Sequence, residues 1–305
     1  MNQLVQLKNL PPALKKTLLE AKKLIKARHS ISTQIAYESD IKEFNTWCKL
    51  HKFKSFPASV DSVVLFLSHL AERGLKPSSI SRRVSALKYS HSEAGLPSPT
   101  DMEPVKATLA GIRRTKGCAP KQVAPATIDV VEQLLSACGN NMQGIRDQAL
   151  ITIGFGAALR RSELSAIKVE DIEVTKEGLV LTLPKSKTDQ EGKGQTVAIL
   201  EGERLQVKKR LVAWLEESGI TEGLLFPITP RHIANIIKYR ARQAGLDENN
   251  FSGHSLRAGF ITSAANSGAD VFRVMDVSRH KSVNTVKSYV RRARQFDDHA
   301  GQSFM

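Results

Sequence analysis

The sequence contains no long hydrophobic run, and this absence bears on where the protein can act. No apolar stretch approaches the roughly 20 residues that a membrane-spanning helix requires, so we expect no membrane partner. The N-terminal residues also lack an apolar segment followed by a small-residue cleavage site, so no secretion signal is predicted. We therefore expect a cytoplasmic protein, associated with the nucleoid if the chain is bacterial.

Cysteine is scarce, and its spacing excludes two kinds of site. The three residues, Cys48, Cys118 and Cys138, are odd in number and far apart in the chain. This arrangement fits neither a disulfide framework nor the paired CxxC spacing of a zinc knuckle. We therefore expect buried or incidental thiols in a reducing compartment. The sequence shows no metal-ligand cluster, and neither a metal nor another cofactor is expected.

Positive charge, in contrast, is abundant and unevenly distributed. Lys and Arg number 45 against 30 Asp and Glu, which gives a net charge of +15. Residues 1–119 carry 20 basic against 9 acidic residues, whereas residues 120–305 carry 25 against 21. Such a basic excess indicates a polyanionic partner, because each neutralised phosphate releases counterions. The alternative is a generally basic, solvated surface.

Residues 1–114 predict a compact bundle of helices. Apolar residues recur at helical spacing in the segments 37–48 and 60–70, and Ser59 is a suitable N-cap for the second of these helices. A third helix begins at Pro77 and keeps its apolar side chains on one face. Short helices joined by small loops are typical of a helical bundle.

The opposite face of that third helix presents three cations, Arg82, Arg83 and Lys88. In a major groove an arginine can read guanine, whereas contacts to phosphates hold a helix without reading sequence. Both interpretations predict that these three residues bind nucleic acid.

Residues 115–125 predict a linker to a second domain at 126–305. The segment 113–127 is basic, contains two prolines and a glycine, and lacks apolar periodicity. The alternative is a long surface loop inside one domain. The change in charge between the two sides favours the linker.

The second domain is predicted to be mainly helical with a small antiparallel sheet. Helical patterns occur near residue 127, at 145–158, 203–219 and 229–245, and in several short pieces of the last 50 residues. Two strand-like segments, 178–184 and 195–200, are joined by a polar turn typical of a long hairpin. The fold class predicted for the whole chain is therefore mainly α, with two domains.

Breaking a phosphodiester without metal or water requires a nucleophile, cations at the non-bridging oxygens and a proton donor for the leaving oxygen. The second domain contains candidates for each role. They are Arg160 after an apolar helix, Lys187 in the hairpin turn, His254 and Arg257 near a helix start, His280 in a polar turn, and Tyr289 on the next helix. His254 and Arg257 are three residues apart, so their side chains share one helix face.

In this order and spacing, these residues resemble the tyrosine recombinase, or phage integrase, family. The matching motifs are Arg160 in LRRSEL, Lys187 in KSKT, His254 and Arg257 in HSLR, His280 at a position that is His or Trp in the family, and Tyr289 in SYVRR. Glu163 matches an acidic position that supports the first arginine. The resemblance spans nearly the whole chain. It implies a SAM-like core-binding bundle followed by a catalytic domain with the DNA breaking-rejoining fold.

The resemblance also implies how the phosphate is held. Arg160 and Arg257 would bind the non-bridging oxygens of the scissile phosphate, since their planar forks suit phosphate geometry. These cations would stabilise the charge that grows in the pentacoordinate state, and His280 would add a further donor.

The remaining implied roles concern covalent bonds and protons. Tyr289 would attack phosphorus to form a 3′-phosphotyrosyl link and release a 5′-hydroxyl. Because the ordinary pKa of tyrosine is about 10, the phenol needs a base, and His254 is the candidate. Lys187 would protonate the leaving 5′ oxygen.

The implied partners are double-stranded DNA with paired inverted-repeat half-sites and further copies of the chain. The covalent link conserves bond energy, so neither ATP nor metal is needed. The tail after Tyr289 would dock on a neighbouring subunit in a tetramer; the alternative is a tail that packs on its own domain. Arg291 and Arg292, just after Tyr289, are candidates for holding the DNA backbone.

Two catalytic assignments have close alternatives in the sequence. Arg161 adjoins Arg160; the family register selects Arg160 and leaves Arg161 as a surface residue or a contact to the DNA backbone. Lys185 and Lys193 lie in or near the same turn as Lys187, which the KSKT match favours.

Two other functions compete with strand exchange. A type IB topoisomerase-like enzyme would share the site residues but act as a monomer and reseal the same strand. A catalytically silent, architectural DNA-binding protein is the other alternative. The small N-terminal domain and the tail argue against the first, and the complete set of polar site residues argues against the second.

Overall fold

The computed structural model describes residues 11–117, 123–183 and 194–293. Contacts within the chain divide it into two compact units, Met1–Lys121 and Gln122–Met305, called unit 1 and unit 2 below. Within the described residues, no helix is both long enough and apolar enough to cross a membrane.

Unit 1 is a bundle of helices. They are α1 (Pro12–Ala27), α2 (Ile31–Leu50), α3 (Val60–Glu72), α4 (Pro77–Glu93) and α5 (Glu103–Lys116), with a short 3₁₀ turn at Pro99–Asp101. Two predicted helix starts are confirmed. The hydroxyl of Ser59 accepts the N–H of Ser62 at 3.2 Å, and Pro77 lies in the first turn of α4.

The core of unit 1 consists of aromatic and aliphatic side chains from α2 to α5. The rings of Phe44 and Phe66 meet edge to face with centroids 5.0 Å apart. From α4, Ile80 and Leu87 are buried in this core, which confirms the inward face that the sequence predicts. Of the cations of α4, Arg82 and Lys88 stay exposed, whereas Arg83 is mostly buried.

The helix α5 continues to Lys116, into the segment where the sequence predicts the linker to begin at residue 115. It ends at Gly117, whose φ of +71° suits a residue without a Cβ. Residues 118–122 lie outside the described ones, and 123–127 have no regular secondary structure. The domain limits 1–114 and 126–305 stay predictions.

Unit 2 is mostly helical. Its helices are α6 (Ile128–Ser136), α7 (Met142–Gly156), α8 (Arg161–Leu164), α9 (Val207–Ser218), α10 (Pro230–Gln243), α11 (Ser255–Asn266), α12 (Val271–Ser278) and α13 (Val283–Ala293), with 3₁₀ turns at Val169–Asp171 and Glu248–Asn250. The hydroxyl of Thr229 caps α10 by accepting the N–H of His232 at 3.2 Å. Together with unit 1, this confirms the predicted mainly α fold class.

A small antiparallel sheet completes unit 2. Its strands β1 (Ile172–Val174), β2 (Gly178–Leu183) and β3 (Gln195–Leu200) lie in the order β1-β2-β3. In β2 alternate residues are buried, as expected for a strand with one face on a core. The predicted strands correspond to β2 and β3, whereas β1 is too short to give a pattern in the sequence. The turn between β2 and β3, residues 184–193, lies outside the described residues.

Close packing of α11 fixes the position of the HSLR motif at its start. A Cβ added at Gly259 would lie 1.7 Å from the carbonyl oxygen of Ala126, so a side chain cannot fit there without movement. At Gly154 of α7, a Cβ would lie 2.9 Å from side-chain atoms of Leu164 and Leu256. The start of α11 is therefore held against α7 and α8.

Candidate active site

The turn between α7 and α8 places Arg160. After α7 ends at Gly156, Ala158 adopts a left-handed φ of +46° and the chain reverses. Arg160 is then the N-cap of α8, and its backbone N–H donates to Oε2 of Glu163 at 2.8 Å. Its Nη1 donates to Oε1 of the same carboxylate at 2.6 Å. Glu163 therefore fixes both the backbone and the guanidinium of Arg160.

Arg257 reaches the same turn from α11. Its Nη1 donates to the carbonyl oxygen of Ala158 at 2.8 Å, and its Nη2 lies 3.3 Å from each ring nitrogen of His280. Burial, followed by the charges of Arg160 and Arg279, lowers the pKa of Arg257 to about 9. The guanidinium therefore remains charged at neutral pH.

His280 lies just after α12, beside Arg257. Its Nδ1 is 2.9 Å from the hydroxyl oxygen of Ser278, the last residue of α12. Burial, followed by the charges of Arg257, Arg160 and Arg279, lowers the pKa of His280 to about 4. At neutral pH the ring is therefore neutral, with one N–H to donate and one lone pair to accept.

Arg279 is a member of the site that the sequence analysis does not identify. Its Nη2 donates to Oε2 of Glu163 at 2.7 Å, and its Nη1 donates to the carbonyl oxygens of Ala157 and Val277 at 3.0 and 2.9 Å. The side chain is only 3% exposed. The sequence gives no signal beyond its place next to His280, because its burial depends on a partner 116 positions earlier.

Glu163 lies between two arginines and is itself 4% exposed. Burial raises its pKa, but the charge of Arg279 and the hydrogen bonds from Arg160 outweigh burial, so the pKa of Glu163 is below its ordinary value. We call Arg160, Arg257 and Arg279 the arginine cluster. Among the residues that the structure describes, Glu163 is the one carboxylate that offsets their charge: it pairs with Arg160 and Arg279 and acts on Arg257 through its charge. The cluster therefore has two positive charges in excess, which suits an anion such as phosphate.

His254 and Tyr289 lie on the elements that carry or adjoin this cluster. His254 is the exposed N-cap of α11, three residues before Arg257. Tyr289 lies on α13, which packs against α11 and α12, and its ring is partly buried against the hydrophobic cluster of Ile261, Val274 and Val286. The charge of an ionised Tyr289 would raise the pKa of Arg257, so the phenol lies within electrostatic reach of the cluster.

Some predicted features cannot be placed. Lys187 falls in residues 184–193, and the tail falls in residues 294–305, both outside the described ranges. Arg291 and Arg292 belong to the last turn of α13, but their side chains are likewise outside what the structure describes. The roles of these residues stay predictions.

The two adjacent arginines after α7 differ in their surroundings. Arg160 contacts Glu163, whereas the aliphatic part of Arg161 lies on Gly253, where an added Cβ would be 2.8 Å from Cδ of Arg161. The choice of Arg160 for the phosphate stays a prediction. A contact between Arg161 and the DNA backbone stays a prediction.

Two of the predicted DNA-binding cations of α4 are paired with acidic residues of α2. Nε and Nη2 of Arg82 donate to the two oxygens of Asp40, each at 2.8 Å. Nε of Arg83 donates to Oε2 of Glu43 at 2.7 Å. The sequence does not show these ion pairs, because the partners lie about 40 positions apart.

The three cations differ in how accessible they remain. Lys88 lies 2.6 Å from Asp101 and both side chains are exposed, at 59% and 48%; Arg82 is 50% exposed, but its partner Asp40 is only 2% exposed. Arg83 is only 13% exposed and is therefore held more firmly in the bundle. Binding of DNA by all three stays a prediction.

Comparison with known protein families gives two matches that together cover most of the chain. Residues 126–295 match the phage integrase family, and residues 21–94 match the phage integrase N-terminal SAM-like domain. The chain is 34% identical over 300 residues to the integrase/recombinase xerD homolog of Selenomonas ruminantium, covering 92% of this chain and 88% of that protein. It is 27% identical over 276 residues to the recombinase cre of Escherichia phage P1, covering 80% and 79%.

Solved structures share the fold at lower sequence identity. A lambda integrase dimer bound to a COC′ core site superposes with a TM-score of 0.64 at 17% identity, covering 97% of this chain and 86% of that one. The Tn1549 transposon integrase in complex with transposon right end DNA gives a TM-score of 0.63 at 16% identity, covering 90% and 96%.

Proposed function

This chain belongs to the phage integrase family of tyrosine site-specific recombinases, and we propose that it cleaves and rejoins DNA strands through a covalent link to Tyr289. The arginine cluster carries this proposal. Its two excess positive charges, counted over the described residues, are held at fixed positions by Glu163 and the carbonyl oxygen of Ala158. Fixed cations stabilise a phosphorus centre that gains charge during the reaction, with no reorganisation at the moment of bond formation.

Arg160 and Arg257 bind the non-bridging oxygens of the scissile phosphate. Arg160 uses one nitrogen for Glu163 and keeps the rest of its fork for the ligand. Nη1 of Arg257 donates to the carbonyl oxygen of Ala158, and its Nη2 lies beside the ring of His280. The neutral ring of His280 then donates its N–H to the same phosphate without adding a third charge.

Tyr289 is the nucleophile. Its phenolic oxygen attacks phosphorus, the P–O5′ bond breaks, and the 3′ end of the strand remains on the tyrosine. His254 accepts the phenolic proton, and Lys187 donates a proton to the departing 5′ oxygen. The reverse reaction with the 5′-hydroxyl of a second strand completes the exchange, and the two proton transfers run backwards.

Exchange between two DNA sites requires several copies of the chain. We propose a tetramer on two duplexes with inverted-repeat half-sites, in which the tail of each copy docks on its neighbour. The DNA-bound state of the solved lambda and Tn1549 integrases supports duplex DNA as the partner. Because the phosphotyrosyl bond conserves the energy of the phosphodiester, we expect no requirement for ATP or metal.

A nicked duplex tests the covalent step. The target is first selected from a random-sequence pool of duplexes by binding to the full chain. A nick next to the cleavage point lets the short 5′-hydroxyl fragment leave, so the covalent adduct accumulates and is resolved on a denaturing gel. We expect an adduct with the wild type and none with Tyr289→Phe.

Tyr239→Phe is the matched control, since Tyr239 is an exposed tyrosine of the same unit and lies on α10. It should form the adduct at the wild-type rate. An adduct with Tyr289→Phe, or none with the wild type, would refute the assignment. Products that join two duplexes distinguish strand exchange from simple nicking and closing.

A further inference from the structure

We propose that Arg279 is a positioning residue of the active site: it keeps Arg160 electrostatically available to the phosphate and ties the turn of His280 to the turn of Arg160. This inference rests on the proposed function. It concerns a residue that acts through its neighbours, because a side chain that is 3% exposed is too deep to contact DNA.

The first part of the argument is electrostatic. Oε1 of Glu163 accepts from Arg160 at 2.6 Å, and Oε2 accepts from Arg279 at 2.7 Å. Arg279 lies on the buried side of the carboxylate, whereas Arg160 is 17% exposed and lies on the accessible side. Without Arg279, the carboxylate would neutralise Arg160 alone. With Arg279 in place, the phosphate meets a net positive charge at Arg160.

The second part is geometric. Arg279 donates to the carbonyl oxygens of Ala157 and Ala158 at the end of α7 and to that of Val277 near the end of α12. The oxygen of Ala158 also accepts from Arg257 at 2.8 Å. The buried guanidinium of Arg279 thus connects the turn that carries Arg160 with the turn that carries His280. Arg279 and Arg257 also donate to the same acceptor, the carbonyl oxygen of Ala158.

The backbone of Arg279 makes a clean test possible. The residue ends α12 with φ 54° and ψ 42°, a left-handed conformation that glycine adopts more readily than any other residue. Arg279→Gly therefore removes the side chain without straining the backbone. Gln206→Gly is the matched control, because Gln206 is exposed, has φ 48° and precedes α9 in the same unit.

The first measurement is the single-turnover rate of adduct formation by the full chain on the nicked duplex. We expect Arg279→Gly to slow it by about 10- to 100-fold, by analogy with residues that orient the ligands of a metal site. Gln206→Gly should keep the wild-type rate. Arg279→Lys should recover part of the loss, since lysine restores the charge but lacks the planar fork.

A second substitution separates charge from packing. In Arg279→Gly, the single carboxylate of Glu163 neutralises Arg160; adding Glu163→Gln removes that charge and leaves Arg160 and Arg257 as two cations. We expect the double variant to react faster than Arg279→Gly alone. A residue with only a packing role predicts the opposite, because the second substitution would add to the damage.

The pKa of His280, followed by NMR of ring-labelled histidine in the chain without DNA, gives a readout independent of activity. His280 faces Arg257, Arg160, Arg279 and Glu163. Removing the cation at 279 and admitting water should both raise the pKa of His280 from its low value. Gln206→Gly should leave this pKa unchanged.

The outcomes distinguish this inference from the proposed function. If the wild type forms the adduct and Arg279→Gly matches its rate, or if the pKa of His280 does not move, the positioning role is wrong. If the wild type forms no adduct, the proposed function fails, and the NMR titration alone decides the role of Arg279. If Arg279→Gly does not fold, Arg279→Lys replaces it, and a wild-type rate in that variant overturns the geometric part.

Discussion

Glu163 and Arg279 form an ion pair of 2.7 Å between side chains that are 4% and 3% exposed. Arg204 and Glu132 form a pair of nearly equal length, 2.6 Å, with side chains that are 50% and 40% exposed. The two pairs differ in what their loss leaves behind. A stranded charge in the interior has no water to solvate it, whereas an exposed charge is solvated at once.

We therefore expect Glu163→Ala to lower the free energy of unfolding by about 3–5 kcal/mol, the cost typical of removing one partner from a buried pair. Glu132→Ala, the control, should leave the urea midpoint unchanged within error. Equal losses from the two variants in urea denaturation would show that burial does not govern the contribution of these pairs.

The stability of the chain should depend on His280 in a defined pH range. The folded pKa of His280 is about 4, below its ordinary value of 6.5, so between these values the unfolded state binds a proton that the folded state does not. This contribution to stability is present above pH 6.5 and is lost as the pH falls towards 4. Allowing for solvent screening at this partly accessible ring, we expect a loss of about 1 kcal/mol.

Chemical denaturation from pH 7 to 4.5 measures this dependence. His280→Gln should flatten the slope relative to the wild type, since glutamine has no proton to gain. His232→Gln is the control, because His232 is exposed on α10 of the same unit. An unchanged slope in His280→Gln would mean that the folded state tolerates a charged ring beside Arg257.

Much of this architecture is readable from sequence because it rests on local chemistry. The caps at Ser59 and Thr229 need a hydroxyl at one position, and the strands β2 and β3 need alternation over six residues. Arg160 and Arg257 are recognisable for a related reason, since each lies in a short motif. Periodicity and motifs report what a residue does within one turn or one strand.

Contacts between segments far apart in the chain produce neither a periodic pattern nor a short motif in the sequence. Arg279 is buried only because Glu163 and the end of α7 come to meet it, and a sequence shows it as one more cation in a polar turn. The α4 arginines illustrate the same point. Their spacing predicts a basic face, but Asp40 and Glu43 arrive from α2 and neutralise part of it.

We expect single substitutions of the α4 cations to have different effects, some on DNA binding and others on the stability of unit 1. Lys88→Ala should reduce the salt dependence of DNA binding by about one phosphate contact and leave stability unchanged. Arg83→Ala should instead destabilise unit 1 by about 1–3 kcal/mol, because it removes the less exposed of the two arginines that bind the carboxylate of Glu43 and leaves only Arg73. Binding isotherms at several salt concentrations, together with urea denaturation, measure both effects. If Arg83→Ala changes the salt dependence of DNA binding but not the stability of unit 1, then Arg83 contacts DNA.

Two helical glycines should respond oppositely to a methyl group. Gly259→Ala places a Cβ 1.7 Å from the carbonyl oxygen of Ala126, so α11 must move, and we expect a loss of at least about 1–3 kcal/mol. Gly111→Ala is the control: its Cβ meets nothing within 4 Å on α5, and we expect a gain in stability of about 0.5–1 kcal/mol.

Because α11 carries Arg257 two residues earlier, the folded fraction of Gly259→Ala should also form the phosphotyrosyl adduct more slowly, whereas Gly111→Ala should keep the wild-type rate. A Gly259→Ala protein that reacts normally would mean that Arg257 is positioned by its contact with Ala158 alone, independently of how closely α11 packs.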